Sequence, residues 1–290
     1  MKCSRWLAVV IACGCSSAAA PAPPPASNRA PAPADARETE RFVPTAFQVV
    51  TIGDGRPVIF IPGLGCHGRV WYGISNRFEH IQAMTLTPAG FAGQPAIDGP
   101  LARTMVQQLA RYIRDRKIVK PVIVGHSMGG FVALWLAATE PDLVGPVVVV
   151  DSVPGNDAAS AARGKQLRDR WAKLPRPQLE QTLRSYYSGM FTNADDRDAV
   201  IEDVLKSDQR ALADAVEEVF TVDLVPELPK VTAPVLAILA DGPHQRTIKQ
   251  QLAAVPDHQF VVLPKTRHFV MKDDPDGFYR ALDAFMAAHR

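Results

Sequence analysis

The stretch from Val122 to Gly130 reads Val-Ile-Val-Gly-His-Ser-Met-Gly-Gly, and it constrains the chain more than any other. An apolar run of strand character enters Gly-His-Ser-Met-Gly, and a helical pattern, Met128 to Thr139, begins directly behind it. A strand-to-helix turn this sharp holds its serine in a strained backbone conformation with the hydroxyl exposed. Gly125 and Gly129 suit it because a Cβ at either place would meet the neighbouring strand or helix. The helix also aims its N-terminal N–H groups and positive dipole end at Ser127, where an oxyanion would be stabilised.

A chain of 290 residues, 47% of them hydrophobic, can bury one large core, or a core with an inserted subdomain. A formal net charge of +2 gives no electrostatic case for a nucleic-acid partner. No stretch of about 20 apolar residues follows the N-terminus, so an internal membrane span is not expected.

Residues 1–20 read as an export signal: Lys2 and Arg5, a short apolar run from Trp6 to Ala12, then the small residues Ser16 to Ala20. The expected location is periplasmic or secreted. Val10-Ile11-Ala12-Cys13 resembles a bacterial lipobox, with Cys13 as lipidated mature N-terminus and membrane attachment, and Cys15 is a second candidate. Ordinary cleavage after Ala18 or Ala19 is the alternative, and the residues leave both routes open. Residues 21–40 are rich in Pro and Ala and read as a tether. Cys66 stands alone in the body of the chain, so no disulfide framework is expected, and a small packed residue is its simplest reading.

From Arg41 onward, strand patterns alternate with helical ones. Strands are expected at Phe47–Ile52, Pro57–Ile61, Ile81–Leu86, the run before Gly125, Pro146–Val150, Pro234–Ala240 and Gln259–Leu263. Helices are expected from Arg69 through Ile74 and Phe78, over Leu101–Lys117, behind Ser127, over Thr247–Ala254 and from Pro275 onward. Continuously apolar strands in such alternation predict an α/β architecture, a mostly parallel sheet covered on both faces. Between Asp151 and Ala233 the alternation stops, and four helical patterns follow one another. The expected organisation is therefore a core of 41–152 and 233–290 with a helical cap, 153–232, inserted between its halves.

These features together resemble the α/β-hydrolase fold superfamily, in particular serine esterases and lipases with a helical cap. Pro62-Gly63-Leu64-Gly65 stands where that family carries its oxyanion loop, with Pro in place of His. Gly125-His126-Ser127-Met128-Gly129 matches the nucleophile elbow, and Arg267-His268-Phe269 matches the family's Gly-His-Phe with Arg replacing Gly. The resemblance implies Ser127 as nucleophile, His268 as general base, and the N–H groups of Leu64 and Met128 as oxyanion hole. It implies neither a cofactor nor a metal. His126 is adjacent to Ser127 along the turn, so its side chain is expected to point away and pack. His67, His80, His244, His258 and His289 have no partner at metal-ligand spacing, although His67 neighbours the oxyanion loop.

The acid that should orient His268 has two candidates. Asp241 follows the strand ending at Ala240, about two residues earlier than the family pattern puts its acid. Asp151, in Asp-Ser-Val-Pro at the end of the preceding strand, matches a second pattern. That pattern occurs in a bacterial subgroup that also carries Ala-Gly-Phe-Ala-Gly, here Ala89 to Gly93. Asp273 and Asp274 are expected only to open the last helix.

The implied activity is hydrolysis of a small or medium carboxylic ester through an acyl-enzyme on Ser127. A serine at the elbow argues against haloalkane dehalogenase or epoxide hydrolase chemistry, which would need Asp there. An acyltransferase would share every residue named, and a non-catalytic binding protein would be expected to lack the Ser or the His. A proline-type aminopeptidase would need carboxylates facing the pocket, and Glu202, Asp203, Glu217 and Glu218 read instead as solvated helix faces. Trp71, Phe91, Trp171, Tyr186, Tyr187, Met190 and Phe191 are candidates for an apolar acyl pocket or for core.

Overall fold

A computed structural model describes residues 41–73, 77–78 and 80–290. The expected export signal, lipobox and tether (1–40) and Ile74 lie outside the described residues.

Seven strands form one sheet in the order β1-β3-β2-β4-β5-β6-β7. They are β1 (Phe47–Ile52), β2 (Arg56–Ile61), β3 (Ile81–Pro88), β4 (Val122–His126), β5 (Val147–Val150), β6 (Val235–Ala240) and β7 (His258–Leu263). β1 pairs antiparallel with β3, and all other pairs are parallel. The physical reason is burial on two faces. All four valines of β5 are fully buried, as are Val122, Ile123 and Val124 of β4, which only a sheet covered on both sides permits.

The covering helices are α1 (Leu101–Asp115), α2 (Met128–Thr139), α7 (Gln245–Leu252), a short α8 (Val270–Asp273) and α9 (Pro275–Ala288). α1 is amphipathic and buries Leu101, Met105, Leu109 and Ile113 on one face. α2 has no polar face to offer, and every residue from Met128 to Ala138 is buried. Between β5 and β6 come α3 (Ala158–Lys173), α4 (Arg176–Ser188), α5 (Ala194–Val204) and α6 (Gln209–Thr221), then a 3-10 turn at Val225–Lys230. Asp157, Asn193 and Asp208 cap α3, α5 and α6 by accepting from first-turn N–H groups. Among the described residues no helix is long and apolar enough to cross a membrane.

Two local expectations are corrected. The helix expected from Arg69 is, in its described part, a 3-10 turn of four residues, Gly68–Trp71, capped by His67. Gly68 sits so close to the Leu86 carbonyl (2.6 Å from an added Cβ) that the turn is set by packing on β3 rather than by helical periodicity. Asp203 and Glu218 are not on solvated faces. Asp203 is buried and pairs with Arg69. Glu218 is buried and accepts from Ala102 N (2.8 Å) and Arg103 N (2.9 Å), satisfying the open first turn of α1.

The glycines of the central turn are space-limited. A Cβ on Gly125 would lie 2.1 Å from the Gly129 carbonyl oxygen, and one on Gly129 would lie 2.2 Å from that of Ile61. Both obstacles are backbone. Gly125→Ala is therefore expected to destabilise the protein by more than about 4 kcal/mol in urea unfolding. Gly242→Ala, with nothing within 4 Å of its added Cβ, should stay within about 0.5 kcal/mol of wild type. Equal midpoints for the two variants would contradict this reading of the turn.

Candidate active site

β4 ends at His126, and Ser127 is the residue preceding α2, with φ 52° and ψ −119°. That conformation disfavours any residue with a Cβ and persists only where neighbours enforce it. Here Ser127 N donates to Val150 O (2.9 Å), and Ser152 Oγ donates to Ser127 O (2.7 Å). Ser152 was not singled out in the sequence. Its signal was present in Asp-Ser-Val-Pro, but its partner lies 25 residues away.

At the end of β5, Asp151 also has a positive φ (44°). Its Oδ2 accepts from His268 Nδ1 (2.7 Å), and its Oδ1 accepts from Ala240 N (3.1 Å). Burial pushes the Asp151 carboxyl up, but the His268 hydrogen bond and charge and the Ala240 N–H outweigh it, leaving it below the usual range. Asp241, the other candidate, is exposed, and among the described residues no hydrogen bond joins it to His268. The difference is one of reach. Parallel pairing sets β5 beside β6, so the end of β5 opens toward the loop that carries His268.

His268 lies between β7 and α8, and Ser127 and His268 line the same two cavities. Among the described residues no hydrogen bond joins the Ser127 hydroxyl to His268, a separation common before substrate arrives. Leu64, in the loop after β2, and Met128, at the first position of α2, line the smaller cavity beside Ser127. Among the described residues neither N–H donates to a protein acceptor. The loop carrying Leu64 is held from above: Tyr187 Oη of α4 donates to Leu64 O (2.7 Å), and Ser207 Oγ donates to Gly65 O (3.3 Å).

His126 is fully buried and packed against His268 and Phe269. Its Nε2 donates to His268 O (2.9 Å), so Nδ1 is bare and has no partner among the described residues. Asp273, expected only to open the last helix, instead ties the histidine loop to the inserted helices. Its carboxylate accepts from Arg267 N (2.7 Å), Thr192 N (2.8 Å) and Thr192 Oγ1 (2.7 Å). Asp274 is the residue that caps α9. Cys66 is buried, with its thiol pushed up by burial and by Asp203. His67 caps the 3-10 turn and lines neither cavity at Ser127. Of the candidates for an apolar pocket, Tyr186, Tyr187 and Met190 reach these cavities, whereas Trp71, Phe91, Trp171 and Phe191 belong to the core. Among the described residues no three His, Cys, Asp or Glu side chains gather as a metal site.

Burial lowers the pKa of His126 to about 3 from an ordinary value of 6.5. The unfolded chain then binds this proton first, so the stability it contributes is present above about pH 6.5 and lost as pH falls toward 3. His67, also lowered by burial, adds in the same direction. Asp151, depressed below 3.8, adds to the loss only as pH falls through about 3.8, and Glu218, raised by burial from 4.5, opposes it around and above 4.5. The expected loss from His126 between pH 7.5 and 5.5 is about 1.4 kcal/mol. His126→Gln, measured by urea unfolding at both pH values, should remove that part, and identical pH slopes in the two proteins would contradict it.

A sequence model described as the Alpha/beta hydrolase family matches residues 58–281, and the chain belongs to that family. Among curated relatives, Lipase LipV of Mycobacterium tuberculosis is 26% identical over 43% of this chain and 55% of its own length. The sn-1-specific diacylglycerol lipase ABHD11 of Mus musculus is 25% identical over 63% of this chain and 64% of its own length. The chain thus spans little more than half to two thirds of these two proteins. Pimeloyl-[acyl-carrier protein] methyl ester esterase of Vibrio vulnificus is 24% identical over 81% of this chain and 96% of its own length. A hydrolase from Pseudomonas aeruginosa shares the fold with TM-score 0.75 at 15% identity, covering 83% of this chain and 94% of that one. A thermophilic esterase from Thermogutta terrifontis has TM-score 0.75 at 17% identity, covering 84% of this chain and 94% of that one.

Proposed function

We propose that the protein is a serine hydrolase that cleaves carboxylic esters through an acyl-enzyme on Ser127. The observation that carries this is the His268 Nδ1 to Asp151 Oδ2 hydrogen bond, made by a histidine that shares its cavities with Ser127. With Nδ1–H committed to Asp151, His268 Nε2 is the nitrogen free to take the Ser127 proton and return it to the leaving alcohol. The N–H groups of Leu64 and Met128 would hold the oxyanion; losing one such donor costs about 3 kcal/mol in the barrier. Relatives that are named esterases and lipases support ester hydrolysis as the reaction class.

The aminopeptidase reading has less support. Glu202, Asp203, Glu217 and Glu218 line neither cavity at Ser127; of the carboxylates that do line the larger one, Asp151 is engaged by His268, and Asp157 and Asp241 are exposed. The helices α3 to α6 serve in this reading as a cap over the site. Export through residues 1–20, with lipidation at Cys13 as one route, is part of the same proposal and rests on the sequence alone.

The test is covalent labelling by a small fluorophosphonate at pH 7.5. Wild type is expected to be labelled on Ser127 and to turn over p-nitrophenyl acetate. A well-folded protein that takes no label would point to a binding role on this scaffold.

A further inference from the structure

Two cavities meet at Ser127 and His268, and they differ in size by more than an order of magnitude. Tyr186, Met190, Val219 and Phe220 line both and form the neck between them. The smaller measures about 50 Å³ and is lined besides by Leu64, Met128, Tyr187, Val216 and Phe269. The larger measures about 820 Å³ and lies under α3 and beside the ends of β5 and β6. At roughly 10–15 Å³ for each water-sized group, the smaller lobe takes about four heavy atoms. Its walls are mostly apolar, and the hydroxyl of Tyr187 is already given to Leu64 O. The larger lobe is also lined more by apolar than by polar surface, and it carries Arg163, Asp241, His244, Gln245 and Arg267 at its polar places.

Resting on the serine-hydrolase reading, we propose that the small lobe takes the acyl group and the large lobe takes the alcohol. The substrate class is then an ester of a short acyl chain, about two to four carbons, with a large alcohol. The order of bond changes decides the assignment. Ser127 Oγ bonds to the acyl carbon and loses its proton to His268. The ester C–O bond breaks, and that proton goes to the departing alkoxide, giving a neutral alcohol. A water must next occupy the place the alcohol leaves, give its proton to His268 and bond to the acyl carbon; the bond from that carbon to Ser127 Oγ then breaks, and His268 returns the proton to Oγ as the acid departs. The acyl group stays bound through both steps and suits the small lobe. The alcohol has to leave and be replaced by water, and only the larger lobe has room for a large alcohol to depart and for water to follow it.

Two matched ester series test this, with Ser127→Ala as blank. In the first, p-nitrophenyl acetate, butanoate, hexanoate and octanoate vary the acyl chain. The expected kcat/KM falls by about tenfold or more from butanoate to hexanoate and again to octanoate. In the second, acetates of ethanol, glycerol and glucose vary the alcohol, and kcat/KM is expected to hold or rise with its size. Val216→Ala, which widens the small lobe, should recover about tenfold of the hexanoate loss relative to butanoate. Val219→Ala at the neck serves the same purpose if Val216→Ala does not fold. Octanoate cleaved as fast as butanoate by wild type, or acetates lost as the alcohol grows, would overturn the assignment and leave the esterase reading standing. A wild type that takes no fluorophosphonate and cleaves neither series would instead remove that reading, and the lobe assignment with it.

Discussion

Asp151→Asn is expected to lower kcat on p-nitrophenyl acetate by about 10⁴-fold, while Asp241→Asn stays close to wild type. The size of the effect follows from hydrogen-bond direction. Ala240 N–H donates to Asp151 Oδ1, so an asparagine keeps its carbonyl oxygen there and turns its NH₂ toward His268 Nδ1. Two donors cannot face each other, and the imidazole shifts its proton to Nε2. A histidine with Nε2–H cannot accept the Ser127 proton, so the base is lost with little change in shape. Asp241, exposed and without a hydrogen bond to His268 among the described residues, carries no such consequence. Circular dichroism and the urea midpoint of each variant separate a chemical loss from an unfolded protein. Near-wild-type kcat in Asp151→Asn would remove Asp151 from the mechanism, and a collapse confined to Asp241→Asn would require a different arrangement of the loop after β6.

Ser127→Ala is expected to reduce turnover by about 10⁴- to 10⁶-fold and to abolish fluorophosphonate labelling. What survives is the contribution of the oxyanion N–H groups and of substrate binding, which act without a nucleophile. The substitution leaves the fold alone, because alanine must adopt the same positive φ that serine does (52°) and the ties to the backbone at Val150 and Ser152 do not involve the hydroxyl. Its urea midpoint should therefore match wild type within about 0.5 kcal/mol. Combined with Asp151→Asn, it should lose little more than it does alone, since the acid acts only through a base that no longer has a proton to take. Additive losses in the double variant would mean that Asp151 does something other than hold His268.

Both predictions concern a site that was unevenly legible. Ser127 announced itself because its requirements are local: a strand, a sharp turn with Gly125 and Gly129, and a helix all lie within one short stretch of chain. The strands were legible for a similar reason, since double-sided burial makes each of them a continuous apolar run. Helices that pack by shape were harder. The 3-10 turn at Gly68–Trp71 follows from contact with β3, which no periodicity records. Asp203 and Glu218 look like surface charges in sequence because their partners, Arg69 and the first turn of α1, are more than a hundred residues away.

The carboxylate behind His268 shows the division most plainly. By its residues alone the chain determined an α/β sheet with Ser127 at its central turn and a histidine loop before the last helix, because local propensity and strand burial are written in short runs. Which aspartate meets that histidine depended on where two loops end after parallel strands are laid side by side. Asp151 and His268 are 117 residues apart and 2.7 Å from each other, and only the packing of β5 against β6 and of β6 against β7 brings them together.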